Sequence, residues 1–245
     1  MKKQLKRILR ISIYSLYEKY RNNIRRKQRD LMQKKIIGEY FNSSEIKKLH
    51  IGCGANIYDG WLNTDLNYNE HVAFLDASNT FPFDNGVFNY VYSEHLFEHL
   101  KFKQQMNMLK EAYRVLKKGG VMRIATPSID FLVTLYKESS SEESKCYSQW
   151  AVNHSPLLLT VKKELQDKSH YHCYVINNFF KAWGHQMIHD FSSLKALALQ
   201  CGFSDIRSCK VGESQDFHLK NIERHGTIIP PKMNLLETMV VELVK

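Results

Sequence analysis

The chain of 245 residues lacks any apolar run near the ~18 residues that a membrane-spanning helix needs. It lacks a G-x-S-x-G nucleophile elbow and a phosphate-cradling P-loop, so hydrolase and NTPase readings have no support. No internal repeat is visible. Cysteines are few and odd in number (Cys53, Cys146, Cys173, Cys201 and Cys209), and no two form a C-x-x-C pair. That usage favours a reducing compartment without a disulfide frame. The first residues are basic, but the apolar stretch there is broken by Arg10 and has no small-residue cleavage site. A secretory signal is therefore not expected, and the location expected is cytoplasmic.

Charge of either sign is scarce as a net quantity outside one end. The chain carries +10 overall. Residues 1–36 hold 13 Lys and Arg against Glu18 and Asp30, and the remainder has 22 bases and 23 acids. The body is neutral, and the basicity is local. Within residues 2–37, Leu5, Leu9, Ile13, Leu16, Tyr20 and Ile24 recur every three or four positions. The spacing predicts an amphipathic helix, a basic extension over residues 1–40. Three readings stay open: a stripe docked on the protein's own domain, contact with anionic lipid at an inner membrane face, or nucleic-acid contact. The few aromatics, Tyr14, Tyr17 and Tyr20, do not make a stacking platform.

The most informative stretch is Lys48–Asp65. Leu49 and Ile51 form a short apolar strand that breaks at Gly52-Cys53-Gly54, and a second strand, Trp61–Thr64, ends at Asp65. Two glycines one residue apart allow a tight turn and close approach of a ligand to bare backbone. An acid ending the next strand suits ribose hydroxyls. A third strand, His71–Leu75, ends at Asp76, and a fourth, Phe88–Tyr92, ends at Ser93-Glu94. A helix is expected over Lys103–Leu116, stopped by Lys117, Lys118 and Gly119. Val121–Ala125 then reads as strand five, ending at Thr126-Pro127-Ser128. Alternating strands and helices point to a mostly parallel sheet.

Periodicity blurs from Tyr136 to Gly184, and residues 137–184 are expected to form an insertion over the sheet's ligand edge. A helix capped by Asp190 or Ser192 and ending at Cys201-Gly202 follows. Phe203–Val211 and Glu237–Val244 are the last strands, with Gly212–Asn234 irregular between them. The link Ala55–Gly60 is too short for the usual crossover helix. A short turn is expected there, with part of the N-terminal helix filling the vacancy. Ile57 stands where a dinucleotide fingerprint has its third glycine, and Asp65 follows Gly54 too closely for an NAD site.

The motifs IGCG, FPFDNGVFNYVYSEHLFEH and LKEAYRVLKKGGVMRIATPS, in this order, resemble the class I S-adenosylmethionine (SAM)-dependent methyltransferases, in particular the small-molecule and glycan group often labelled methyltransferase type 11. The resemblance covers residues 48–128. It implies a Rossmann-like α/β fold, a seven-stranded sheet with an antiparallel last strand, and SAM as cofactor. It implies that Gly52, Cys53 and Gly54 line the methionine moiety and that Asp65 and Leu66 meet the ribose. Asp76 and Ala77 would lie near the adenine, and Ser93 and Glu94 would face the methyl and the acceptor. The activity implied is methyl transfer to a small molecule or glycan precursor, with a place in polysaccharide biosynthesis. Alternatives are a non-catalytic SAM-fold scaffold and a nucleic-acid methyltransferase using the basic helix.

Where the acceptor is a hydroxyl, a base assists. His95, Glu98 and His99 follow strand four, and His95 is the candidate base; these residues equally suit the start of a helix. HLFEH also spells H-x-x-E-H, but directly after a strand it lacks the mid-helix setting of a zinc-protease motif. His170-Tyr171-His172-Cys173 could alternate on a strand but has no partner pair. His185 and His189 read as lead-in residues to the next helix. No metal site is expected.

Overall fold

The computed structural model describes residues 2–245; its described side chains begin at Tyr14 and omit 15, 16 and 22. The stripe positions Leu5, Leu9, Ile13 and Leu16 therefore lie outside the described side chains. Seven strands form one sheet in the order β3-β2-β1-β4-β5-β7-β6: β1 Lys48–Ile51, β2 Leu62–Asp65, β3 Ala73–Phe74, β4 Phe88–Glu94, β5 Leu116–Pro127, β6 Asp205–Cys209 and β7 Thr238–Val244. The pairs β3–β2, β2–β1, β1–β4 and β4–β5 are parallel. β7 is wedged antiparallel between β5 and β6.

Alternation along the strands separates two faces. Leu49, Ile51, Phe88, Val91, Met122, Ile124, Val241 and Leu243 point into the main core. Three helices cover this face: α1 (Lys2–Ser43), α2 (Phe102–Val115) and α7 (Phe191–Gln200). α2 contributes Met108, Leu109, Ala112 and Val115, and α7 contributes Leu194, Leu197 and Ala198. Among the described residues of α1, the last part joins this core, through Ile36, Ile37, Tyr40 and Phe41. The Tyr40 hydroxyl donates to the Lys48 carbonyl at 2.9 Å, and the Phe41 ring packs on Phe88 at 5.6 Å. Farther back, Tyr17, Tyr20 and Leu31 are exposed. Of the stripe, Tyr20 and Ile24 have described side chains and both are exposed, so the docked stretch lies beyond the stripe.

The opposite face corrects a second expectation. No helix connects β1 to β2, as the short spacing implies, but α1 does not fill that vacancy, because it lies across the sheet with α2 and α7. The vacant face is covered by Tyr58 and Trp61 from the short link and by Leu219 and Ile222 from the segment between β6 and β7. A buried ion network pins that segment. Arg123, fully buried in β5, donates to Glu223 at 2.5 Å and to Glu242 at 2.7 Å, and Glu223 also accepts the Gly212 amide at 2.8 Å.

A third correction concerns the stop after α2. The helix ends at Val115, and Leu116 is already extended. Lys117, Lys118 and Gly119 belong to β5, where the Gly119 amide donates to the Lys245 carbonyl at 2.9 Å. Gly119 has φ +76°, so its glycine character serves an irregular strand edge and not a helix cap.

Beyond β5 the chain forms α3 (Ile129–Lys137), α4 (Glu142–His154), α5 (Leu159–Glu164) and α6 (Tyr171–Lys181). With α8 (Pro231–Glu237) they enclose a second core of Leu132, Tyr147, Val152, Val175, Phe179 and Met233. These helices sit over the carboxyl ends of β4 and β5. His170–Cys173 falls at the start of α6, so strand-like alternation there is ruled out. No helix among the described residues is long and apolar enough to cross a membrane.

Candidate functional site

The four polar strand ends meet on one rim, because β3, β2, β1 and β4 are consecutive neighbours that point the same way. After β1 the backbone turns through Gly52 (φ +69°) and Gly54 (φ +51°). The amides of Gly52 and Cys53 both donate to the Thr64 carbonyl, and the Gly54 amide donates to the Asp65 carboxylate at 3.0 Å. Asp65 also accepts the Asn67 amide at 2.8 Å. The glycine turn and the acid of β2 are thus one hydrogen-bonded unit. Each carboxylate oxygen keeps a lone pair free. A Cβ placed on Gly54 would meet nothing within 4 Å, whereas one on Gly52 would lie 2.7 Å from Leu96. Open space lies over the second glycine, and a leucine from the end of β4 closes over the first.

The other expected cofactor residues are placed as follows. Leu66 is exposed beside Asp65, and Ala77 is buried beside Asp76. Asp76 accepts the Ser78 amide, the Ser78 hydroxyl and the Asn79 side-chain amide, so most of its capacity is used within its own turn. Ser93 is fully buried, and its hydroxyl has no hydrogen-bond partner. The Glu94 carboxylate accepts the backbone amides of Arg224 and His225 at 2.9 and 2.8 Å. It therefore anchors the segment between β6 and β7 at the rim.

Residues 49–124 match the family model described as a methyltransferase domain. With that match stands the strand order, which ends in an antiparallel β7 inserted before β6. The fold is that of the class I SAM-dependent methyltransferases. The domain match and the fold imply S-adenosylmethionine as cofactor, and the open space over Gly54, the free lone pairs of Asp65 and the unpaired Ser93 hydroxyl fit a polar ligand on the rim. Solved structures similar to the chain include SAM-dependent methyltransferases from Archaeoglobus fulgidus (16% identity, covering 89% of this chain and 94% of that one, TM-score 0.43) and Thermotoga maritima (14%, 90% and 95%, TM-score 0.45). A third is from Mesorhizobium loti (10%, 82% and 92%, TM-score 0.47). No curated protein sequence matched the chain.

Next to the rim, under the helices, the methyltransferase fold holds a cavity of about 990 Å³. His95, Glu98 and His99 form its floor, Tyr147, Trp150 and Phe179 one wall, and residues 225–231 another. His95 takes a left-handed conformation (φ +47°) at the end of β4. Its Nδ1 lies 3.3 Å from Glu98 Oε1, and its Nε2 lies 3.3 Å from the Thr238 hydroxyl. Burial would lower the His95 pKa, but the Glu98 carboxylate, with Glu237 and Glu94 behind it, outweighs burial and raises it. Burial likewise works to raise the Glu98 pKa, but His95 holds it below the ordinary value.

Sequence reading placed His95, Glu98 and His99 together, but three cavity residues were missed or given another part. His225 stacks on His95 with ring centroids 3.8 Å apart, and its Nε2 lies 3.2 Å from Glu237, which also accepts from the Tyr147 hydroxyl. His185 lies against His99 with centroids at 4.8 Å. The only signal for His225 and Glu237 was their residue type, because they come 130 and 142 residues after His95 and nothing local ties either to it.

Proposed function

We propose that the protein is an enzyme that methylates a hydroxyl on a small molecule or glycan precursor held in the 990 Å³ cavity, with His95 as the base. SAM supplies a methyl group on a sulfonium sulfur, open to in-line displacement. The protein's part is to place the acceptor and exclude water. The observation that carries the reading is the pairing of His95 with buried Glu98 where β4 opens into the cavity. A carboxylate on Nδ1 orients the ring and stabilises the imidazolium formed when Nε2 takes the acceptor proton. Aromatic walls from Trp150 and Phe179, with hydrogen-bonding groups beneath, suit a ring-shaped polyol. In this reading Asp65 holds the ribose hydroxyls.

The exposed Tyr17, Tyr20 and Leu31 on a helix rich in Lys and Arg favour a second element of the same reading. The free part of α1 rests on an anionic membrane face, which would bring the cavity to a lipid-linked acceptor.

Thermal melting with SAM and with S-adenosylhomocysteine tests the cofactor assignment. Both should raise the melting temperature by mass action, and Asp65→Ala should remove the shift. No shift at millimolar ligand would leave a SAM-fold scaffold without cofactor.

A further inference from the structure

The cavity floor holds more metal-ligating side chains than one proton transfer needs. Two groups stand out among the described residues, and in each the donor atoms lie within 4.8 Å of one another: His95, His225 and Glu237, and Glu98, His99 and His185. In the first group His225 and Glu237 already satisfy each other at 3.2 Å. The second group is different. Glu98 is fully buried; its Oε2 accepts from the Thr126 hydroxyl at 3.0 Å, but its Oε1 has no aligned hydrogen-bond donor. His95 Nδ1 and His99 Nε2 approach that oxygen at 3.3 and 3.9 Å. His95 sets its charge against that oxygen, but without hydrogen-bond alignment the oxygen keeps a lone pair for a further electropositive partner.

His99 and His185 are set up to join it around a cation. His185 Nδ1 lies 2.7 Å from the Phe179 carbonyl. A backbone carbonyl fixes the proton on Nδ1 and leaves the Nε2 lone pair free, as the groups that hydrogen-bond the far nitrogen of metal-bound histidines do. The backbone joins the two ligand segments as well, since the amides of Gln186 and Met187 both donate to the Glu98 carbonyl, at 2.7 and 3.2 Å.

We propose that Glu98, His99 and His185 bind a divalent transition-metal ion whose open coordination position faces the acceptor cavity. Two imidazoles and one carboxylate form a donor set suited to zinc at bond lengths of about 2.0–2.2 Å, with a fourth position left for water or substrate. Closing on the ion calls for side-chain shifts on the order of 1 Å from the present spacing. The role of the ion rests on the methyl-transfer reading above. The acceptor hydroxyl oxygen binds the ion, which lowers its pKa. The O–H proton passes to His95, an O–CH3 bond forms, and the C–S bond breaks with its electron pair kept by sulfur.

The site can be measured without SAM. Full-length protein stripped with a chelator is titrated with Co2+, followed by visible absorption, and with Zn2+, followed by calorimetry. One equivalent should bind, with the ligand-field band of a low-coordinate cobalt site. His185→Asn and His99→Gln should each weaken binding by roughly 100-fold or more, at or beyond the upper end for losing an outer-shell partner. His71→Ala, on the surface, should leave binding unchanged. Circular dichroism checks that the variants fold, and the partly exposed His99 keeps the test available if His185→Asn does not. Absence of the band in the parent protein, or its survival in both histidine variants, overturns the site. A band together with no SAM-induced thermal shift keeps the metal site and discards the methyltransferase role. A SAM shift without a band does the reverse.

Discussion

The imidazole of His95 lies over that of His225, ring centroids 3.8 Å apart and planes 32° from parallel, although 130 residues separate them in the chain. Each ring has its own carboxylate: Glu98 lies 3.3 Å from His95, and Glu237 lies 3.2 Å from His225. The cavity floor is therefore a pair of histidine–glutamate couples built from the turn after β4, the segment before α8 and the last residue of α8.

If His95 takes the acceptor proton, His95→Ala should lower kcat by about 10²–10⁴-fold while the SAM-induced thermal shift stays. Turnover is measured as S-adenosylhomocysteine release, with an acceptor found by screening sugars and sugar nucleotides with the parent enzyme. Loss of the shift together with turnover would assign His95 to cofactor binding. Turnover near the parent value would remove it from the mechanism.

Arg123 should be among the most sensitive positions for stability. Arg123→Met leaves Glu223 and Glu242 buried without their cation, an imbalance worth roughly 3–5 kcal/mol. The drop should appear in the urea midpoint, and the segment between β6 and β7 should become the first site of limited proteolysis. A loss below about 1 kcal/mol would mean that water reaches the two acids on that face.

His50 gives the fold a defined acid sensitivity. Burial, partly offset by its hydrogen bond to Asn63, pushes its pKa from 6.5 down to about 4. The unfolded chain therefore binds a proton below about pH 6.5 that the folded protein refuses until about pH 4. The contribution of His50 is complete above the higher value and falls by about 1.4 kcal/mol per pH unit between the two. Urea titrations at pH 7 and pH 5 should differ accordingly, and His50→Gln should flatten the difference. A slope unchanged in the variant would place the acid sensitivity on other groups.

The sheet's ligand rim was legible because it is local. A glycine turn, Asp65, Asp76 and Ser93 each mark the end of a strand, and parallel neighbours necessarily deliver those ends to one edge. His95, Glu98 and His99 were legible for the same reason, lying within five residues of one another. The start of β5 was not. Lys-Lys-Gly-Gly has the composition of a helix stop, but the strand begins at Leu116, five residues before Val121, drawn out by pairing with β4 that no local propensity encodes. The helices over the cavity were unreadable because each is short and buries its apolar residues against the others, which blurs any single stripe. The cover on the helix-free face was invisible for a different reason. Leu219 and Ile222 look like isolated apolar residues in a polar stretch, and only the fold brings them onto Tyr58 and Trp61.

Glu94 joins the sheet to residues 224 and 225, and Arg123 joins it to residue 223. The next residues of that same ribbon, from 225 to 231, form a side of the cavity. If the cavity holds the acceptor, substrate choice and thermal endurance share a single stretch of backbone. Redesigning this stretch for a new acceptor would disturb the packing of the bare side of the sheet. A substitution on that bare side, with no contact to the cavity, would in turn shift which acceptors fit.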